Sequence, residues 1–410
     1  MRRVLMVAYH FPPLAGSSGI QRTLRFVQQL PQHGWEPIVL TANPLAYEQT
    51  SSDLLSEVPT NIPVHRAWAL NTSKHLAIGG RYLARMARPD RWVSWRLAAV
   101  PLGMHLIRKY RPDVIWSTYP IATAHLIGAQ LAARSGIPWV ADFRDPMAQS
   151  GYPADPETWK QFKQIETEAV SRAAHSVFTT PGAADEYRRR YPNHADKIAV
   201  IENGYDESSF SGASNTCAAL EPGKFTLLHS GIVYPSERDP RPMFAALGRL
   251  KREGVMTADH WSIRFRASDN DAMLSELAHK HDITDLIQLL PPIRYREALG
   301  EMLSADGLLV LQGRGCNAQI PAKAYEYIRA RRPILALADP AGDTAGLLRN
   351  AGVQTLAALE DEHAVEGALR QFSELLRNGN ASVASDMVAQ SHSRESRTLE
   401  LARLFDQIVG

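Results

Sequence analysis

QIPAKAYEYIRARRPILAL, residues 319–337, packs a turn, a short helix and a buried strand into one run. Ile320 precedes a proline and is pushed toward extended backbone, while Pro321 suits the first helical position, where its missing N–H costs nothing. A helix is therefore expected from Pro321. Ile334 to Ala338 follows as a continuous apolar run, as in a strand covered on both faces of a parallel sheet. The helix start comes after another such run, Gly307 to Leu311, and its free N–H groups and positive dipole end favour phosphate or another anion. Glu326 sits little more than a turn inside, with Ala322 and Ala330 four positions to either side, a small-residue face that lets a ligand approach. An ionised carboxylate only accepts hydrogen bonds, which suits a diol such as a ribose 2′,3′ pair. The competing reading is a solvated Glu326 paired with Arg329 or Arg332.

Working outward, apolar strands alternate with helical runs along the whole chain. Val4–Ala8, Glu36–Thr41, Asp113–Ser117, Trp139–Asp142, Ser176–Thr180 and Ala199–Ile201 are the strands of the first half. Phe225–His229, Ser262–Ala267, Ile287–Leu290, Gly307–Leu311, Ile334–Ala338 and a short strand near Val353 belong to the second, and Ser393–Val409 is an amphipathic terminal helix. This alternation calls for doubly wound parallel sheets, which bind ligands beyond the carboxyl ends of their strands. Thr118, Asp142 and Arg144 fall at such ends, and so does the glycine-bearing loop Gly16-Ser17-Ser18-Gly19, which matches neither the dinucleotide nor the Walker fingerprint. Asp142 and Arg144 also admit a bracing role, pairing with neighbours to hold a loop. Arg238 stands beside a helix start at Pro240, after Phe225–His229. An arginine there clamps two phosphate oxygens, unless it pairs with Glu237 or Asp239. Asp269-Asn-Asp271 reads as helix capping rather than a metal site, since no further ligand cluster accompanies it.

At 410 residues, 45% hydrophobic and 21% charged, the chain has the composition of a soluble globular protein and the length of two domains. A formal net charge of +2 gives no global field for nucleic acid. Two cysteines, Cys217 and Cys316, exclude a disulfide framework or a four-cysteine zinc site and suit a reducing compartment. Met1-Arg-Arg leads into only a short apolar run, so no signal peptide is expected, and no apolar stretch is long enough to cross a bilayer. The expected location is cytoplasmic, at most on the inner face of the cytoplasmic membrane. Residues 74–110 carry Arg81, Arg85, Arg88, Arg91, Arg96, Arg108 and Lys109 with Trp92 and Trp95, opposed only by Asp90. Such a segment is either a peripheral contact with anionic lipid or a solvated face over two core tryptophans.

Five stretches resemble, in order, the family-four glycosyltransferases of the GT-B fold, in a branch connected with polysaccharide biosynthesis. They are YHFPPLAGSSGIQRTLRF (9–26), GWEPIVLT (34–41), GIPWVADFRDP (136–146), NGYD (203–206) and PAKAYEYIRARRPIL (321–335). The resemblance implies an α/β protein of two doubly wound Rossmann-like domains facing across a cleft. Residues 1–206 would form the acceptor-side domain, 207–223 the linker and 224–390 the nucleotide-sugar domain, with the terminal helix in 391–410 crossing back to the first. It implies transfer of a hexosyl group from a UDP- or GDP-sugar to a hydroxyl of a glycan or polyprenyl-linked precursor, with retention and without a metal. No cofactor is implied beyond the sugar nucleotide itself. Residue by residue, it implies catalytic roles for Arg238 at the diphosphate and Glu326 at the ribose. It assigns Gly16, Gly231, Gln319, Ile320, Pro321 and Lys323 to the donor, and Ser17, Ser18, Gly19, Thr118, His125, Asp142 and Arg144 to the acceptor or sugar side. Three positions depart from the pattern. Thr118 stands where many relatives have a histidine, with His125 nearby; Ile232 replaces an arginine after the glycine; and Ala318 replaces the first of two glutamates, flanked by the amides of Asn317 and Gln319. These departures keep open an epimerase of the same fold and a catalytically silent nucleotide- or glycan-binding subunit.

Overall fold

The computed structural model describes residues 1–17, 19–213 and 218–410; Ser18 and residues 214–217, with Cys217 and part of the expected linker, lie outside the described residues. The chain divides into two compact units, Met1–Glu202 with Arg394–Gly410, and Asn203–Ser393. The first boundary thus falls at 202 rather than 206, and the start of the expected linker, Glu207–Ser211, is a short helix.

The first unit is built on seven strands, β1 (Arg2–Val7), β2 (Trp35–Ala42), β3 (Val64–Ala67), β4 (Val114–Thr118), β5 (Trp139–Arg144), β6 (His175–Phe178) and β7 (Ile198–Val200). All pair in parallel, in the order β3-β2-β1-β4-β5-β6-β7. The period of two along β1 divides its side chains between two cores. Leu5 and Val7 join one that contains Trp95, Ile127 and Trp139, and Val4 and Met6 join the other with Leu24, Trp116 and Phe405. Burying a side chain of this size contributes roughly 1.5–3 kcal/mol, which is why runs such as Val4–Ala8 carry no polar residue. The helix α1 (Gly19–Gln29) follows the β1 loop and lies in the second of these cores.

The second unit has six parallel strands, β8 (Phe225–Ser230), β9 (Trp261–Arg266), β10 (Ile287–Leu290), β11 (Gly307–Gln312), β12 (Ile334–Ala338) and β13 (Thr355–Ala357), ordered β10-β9-β8-β11-β12-β13. Its helices include α2 (Arg241–Arg252), after β8, and α3 (Ala322–Ala330), after β11. The last helix of the chain, α4 (Arg394–Val409), belongs to the first unit. There Phe405 stacks edge-on against Trp35, and Asp406 accepts from Trp35 Nε1 at 3.1 Å and from Arg2 Nη1 at 3.0 Å.

Strand order reverses between β1 and β4 in the first unit and between β8 and β11 in the second. A doubly wound sheet opens a crevice at such a reversal, because the two flanking connections leave to opposite faces. The loops at these points include residues 10–17 with Tyr119–Ile121, and Gly231–Pro240 with Gly313–Pro321. No helix among the described residues is long and apolar enough to cross a membrane.

One expectation changes. Pro321 is the cap of α3, with φ −66° and ψ 139°, and the helix starts at Ala322. Of the two readings of Trp92 and Trp95, the core one fits: Trp95 is fully buried, and Trp92 donates from Nε1 to Ala46 O at 3.1 Å with its ring 4.7 Å from that of Tyr9.

Candidate functional site

In the second unit, four groups meet at the β8/β11 reversal. Gly231 follows β8 with φ +104°, a conformation side chains rarely adopt, and a Cβ there would lie 3.3 Å from Lys323 Nζ. The glycine therefore lets the ammonium come up against the backbone of the turn. Lys323, the second residue of α3, places Nζ 3.0 Å from Nε2 of the buried His229. The other ring nitrogen of His229, Nδ1, lies 2.9 Å from Leu309 O. A carbonyl can only accept, so Nδ1 carries the proton and Nε2 accepts from Lys323. Burial, then the Lys323 charge, holds the imidazole neutral by pushing its pKa well below the ordinary histidine value. Burial and then Arg238 push the Lys323 ammonium down to about 7, against the pull of Glu326.

Arg238 completes the cationic group. Its Nη1 donates to Ile232 O at 3.0 Å and its guanidinium lies 5.4 Å from the centre of the Tyr234 ring. Asp239 instead pairs with Arg241 at 2.9 Å. Two cations thus border the Gly231-Ile232 turn, beside the first amides of α3, whose N–H groups precede the intrahelical ladder.

Glu326, one turn farther along α3, accepts from Tyr295 Oη at 2.6 Å. The alternative partners are engaged elsewhere, Arg329 with Glu207 at 2.6 Å and Arg332 with Leu303 O. Of the two alanines flanking Glu326, Ala322 is exposed and Ala330 is buried, so only the N-terminal side of that face is open. Gln319 is exposed and Ile320 buried, with Gln319 O accepting from Thr344 Oγ1 at 2.9 Å. Asn317 gives its amide to Asp339 at 2.8 Å, which leaves Gln319 as the exposed amide beside Ala318. Asp271 accepts from Ser268 and Asn270 donates to Val233 O, so this acidic stretch shapes the loop before a helix.

In the first unit the expected acceptor-side residues separate into an inner and an outer set. Asp142 is fully buried and clamped by Arg22, with Oδ1–Nη2 at 2.9 Å and Oδ2–Nε at 3.1 Å, and Thr118 Oγ1 lies 2.9 Å from Oδ2. Arg22 also donates to Ile201 O and Glu202 O, both at 3.0 Å. His125 is fully buried, with Nδ1 2.8 Å from Ser117 Oγ. Asp142 with Arg22 and Thr118 thus ties β4, β5 and α1 together, the bracing alternative of its two readings, since a carboxylate whose oxygens are already committed has little left to offer a ligand, while His125 holds β4 through Ser117. Gly19, Ser17, His10 and Arg144 form the outer set. Ser17 Oγ is 3.1 Å from His10 Nδ1 and accepts from Gly19 N at 3.2 Å, while Gly16 is exposed at φ +77°. A Cβ on Gly19 would fall 2.5 Å from Arg144 Nη1 and 2.7 Å from His10 Nδ1, so a side chain there would have to displace both groups. Arg144 has left-handed backbone, φ +63°, where the β5–β6 register shifts. Burial and then Arg144 lower the His10 pKa to about 4. Ser18, expected in this loop, lies outside the described residues.

Sequence reasoning did not find His229 or Tyr295. A polar residue closing the apolar strand FTLLHS was the available signal for His229; nothing near Tyr295 announced its hydroxyl, 31 positions before Glu326.

Residues 18–204 match the family model described as a glycosyl transferase 4-like domain. A D-inositol 3-phosphate glycosyltransferase of Paenarthrobacter aurescens (strain TC1) is 24% identical over 234 residues, 52% of this chain and 56% of that protein; the chain thus spans about half the length of that curated relative. Among solved structures, HepE of Anabaena in complex with UDP superposes with a TM-score of 0.66 at 12% identity, over 99% of this chain and 100% of that one. A UDP-N-acetylglucosamine 2-epimerase gives 0.57 at 16%, over 100% and 97%. Identities this low establish a shared fold and no more.

Proposed function

We propose that this chain, whose residues 18–204 match a glycosyl transferase 4-like domain and whose fold is shared with GT-B glycosyltransferases, moves a hexosyl group from a nucleotide sugar to a hydroxyl of a glycan or lipid-linked glycan precursor. The observation that carries this reading is the pairing of Lys323 and Arg238 against the Gly231-Ile232 turn, at the amino end of α3. Two cations and a helix terminus suit a diphosphate. UDP is the first base to test, because HepE was solved with UDP and with UDP-glucose.

Negative charge grows on the departing diphosphate as the sugar bond breaks, and fixed cations and amide dipoles stabilise it without reorganising. Lys323 supplies beside Gly231 the cation that Ile232 does not, so the departure at position 232 fits a working diphosphate site. Glu326, oriented by Tyr295, accepts from the ribose hydroxyls, and Gln319 offers an amide where Ala318 lacks a carboxylate. The donor is held without a metal ion, and the family precedent is retention at the anomeric carbon, with the departing phosphate accepting the proton of the incoming hydroxyl. We assign the acceptor to the first unit itself, at Ser17, Gly19 and Arg144.

Arg238→Ala tests this reading. Turnover is expected to fall by about 10²- to 10³-fold, the usual loss on removing one donor to a developing oxyanion, with the thermal midpoint unchanged. Full turnover in the variant removes Arg238 from the diphosphate site. The epimerase alternative rests on the superposition with that enzyme; release of an epimerised sugar nucleotide in the absence of any acceptor would favour it.

A further inference from the structure

The first unit carries an exposed projection that neither its core nor the donor site explains. Ile78-Gly79-Gly80-Arg81 is a tight hairpin, with Ile78 N to Arg81 O at 2.9 Å and Arg81 N to Ile78 O at 3.1 Å. Gly79 and Gly80 have φ of +58° and +76°, and a two-residue turn with both central φ positive is the type I′ turn that Gly-Gly favours. A single helical turn, Ala84–Ala87, follows. The base is fixed: Thr72 N donates to Arg91 O at 2.9 Å, Thr72 Oγ1 to Met86 O at 2.9 Å, and Arg91 pairs with Glu48 at 3.0 Å.

What this fixed base presents is apolar. Ile78 is 88% exposed, Leu83 57%, Tyr82 38% and Met86 38%. Four large apolar side chains within nine residues form a local cluster rather than the scattered single exposures common on protein surfaces. Residues 74–87 contain no Asp or Glu, and Lys74, Arg81 and Arg85 are exposed among the apolar groups. Arg81 and Arg85 have no carboxylate partner among the described residues. Arg88, by contrast, is spent on Asp155 at 3.0 Å. Unpaired cations around projecting Ile, Leu, Met and Tyr match an anionic lipid interface, where apolar tips enter the acyl boundary and arginines meet the headgroups.

We propose that Ile78–Met86 is a membrane-seating hairpin that docks the first unit on an anionic bilayer. It deepens the lipid-linked acceptor of the proposed function and rests on that reading for its purpose, since an enzyme held at the surface meets a polyprenyl-linked acceptor in two dimensions. The contact lies in a projection of nine residues, and the tryptophans of the longer basic segment take no part.

The test is cosedimentation of the full chain with vesicles of phosphatidylcholine alone or mixed equally with phosphatidylglycerol. The wild type is expected to bind the anionic vesicles and to lose binding in high salt. Partitioning should fall by roughly tenfold or more in R81E/R85E, since each basic residue near an anionic surface strengthens binding several-fold, and similarly in I78S/L83S/M86S. The thermal midpoint of R81E/R85E should match the wild type, because both arginines are exposed and neither has a carboxylate partner among the described residues; Met86, 38% exposed, packs in part, so only a small fall is expected in I78S/L83S/M86S. Equal partitioning of the wild type and both variants overturns the proposal. So does a wild-type dimer in light scattering that the I78S/L83S/M86S variant abolishes, which would make the patch a contact between copies. The readout uses neither donor nor acceptor, so its failure and the failure of the transferase reading are separate results.

Discussion

Lys323 is the residue whose chemistry is most exposed to test. With its ammonium pushed down to about 7, a large share is neutral just above neutrality in the empty site. A bound diphosphate favours the charged form, so the pKa in the complex lies above that in the free protein. Donor affinity is then complete below about pH 7 and falls as pH rises from there toward the bound value, by up to roughly tenfold per pH unit. Titration calorimetry with UDP-glucose, whose diphosphate keeps a fixed charge, should show this fall together with proton uptake. Lys323→Arg should abolish the pH dependence, because a guanidinium stays charged. An affinity that does not vary from pH 6 to about 9 in the wild type removes Lys323 from the diphosphate. The placement of this residue was legible, since PAKAYEY puts Lys323 and Glu326 near one helix end. Its partner was not: His229 reaches it from 94 positions away, through a tertiary contact no local pattern encodes.

Among the elements, the inner strands were the easiest to read, because parallel strands covered on both faces are mostly apolar, whereas the edge strand β3, VHRA, carries His65 and Arg66 and gave no such run. Helix starts were displaced by single residues. At α3 the extended ψ of Pro321 shifts the start to Ala322, a difference that propensity alone does not resolve. For Asp142 two readings stood open, a sugar-side group and a loop brace, and the contacts favour the brace. Sequence spacing could not show that Arg22, 120 residues earlier, claims both its oxygens. That pair ties α1 to β5, and breaking it on one side strands a buried charge. Arg22→Met should therefore destabilise the first unit by about 3–5 kcal/mol in urea denaturation, and Arg22→Met/Asp142→Leu should recover much of the loss. A single variant within about 1 kcal/mol of the wild type would show that the pair is not a brace.

For the whole molecule, the chain order of the motifs foretold two doubly wound units, and the sequence departed from the result mainly at their borders, where Ser, Ala and Asn give weak local signals. The first unit is closed by the last residues of the chain. Phe405→Ala should open a cavity against Trp35 at a cost of about 3–5 kcal/mol and lower the thermal midpoint of that unit; an unchanged midpoint would mean that α4 adds little. The proposed function rests on the other unit, where Arg238, Lys323 and α3 stand together. The most direct test is a thermal-shift panel of UDP, GDP and ADP with their sugars on the wild type and Lys323→Met, since a ligand that binds only the folded state raises its stability. A rise with one diphosphate series in the wild type, lost or sharply reduced in Lys323→Met, is the expected result. No shift with any of them at millimolar concentration, or an equal shift in both proteins, would contradict a diphosphate site at this turn.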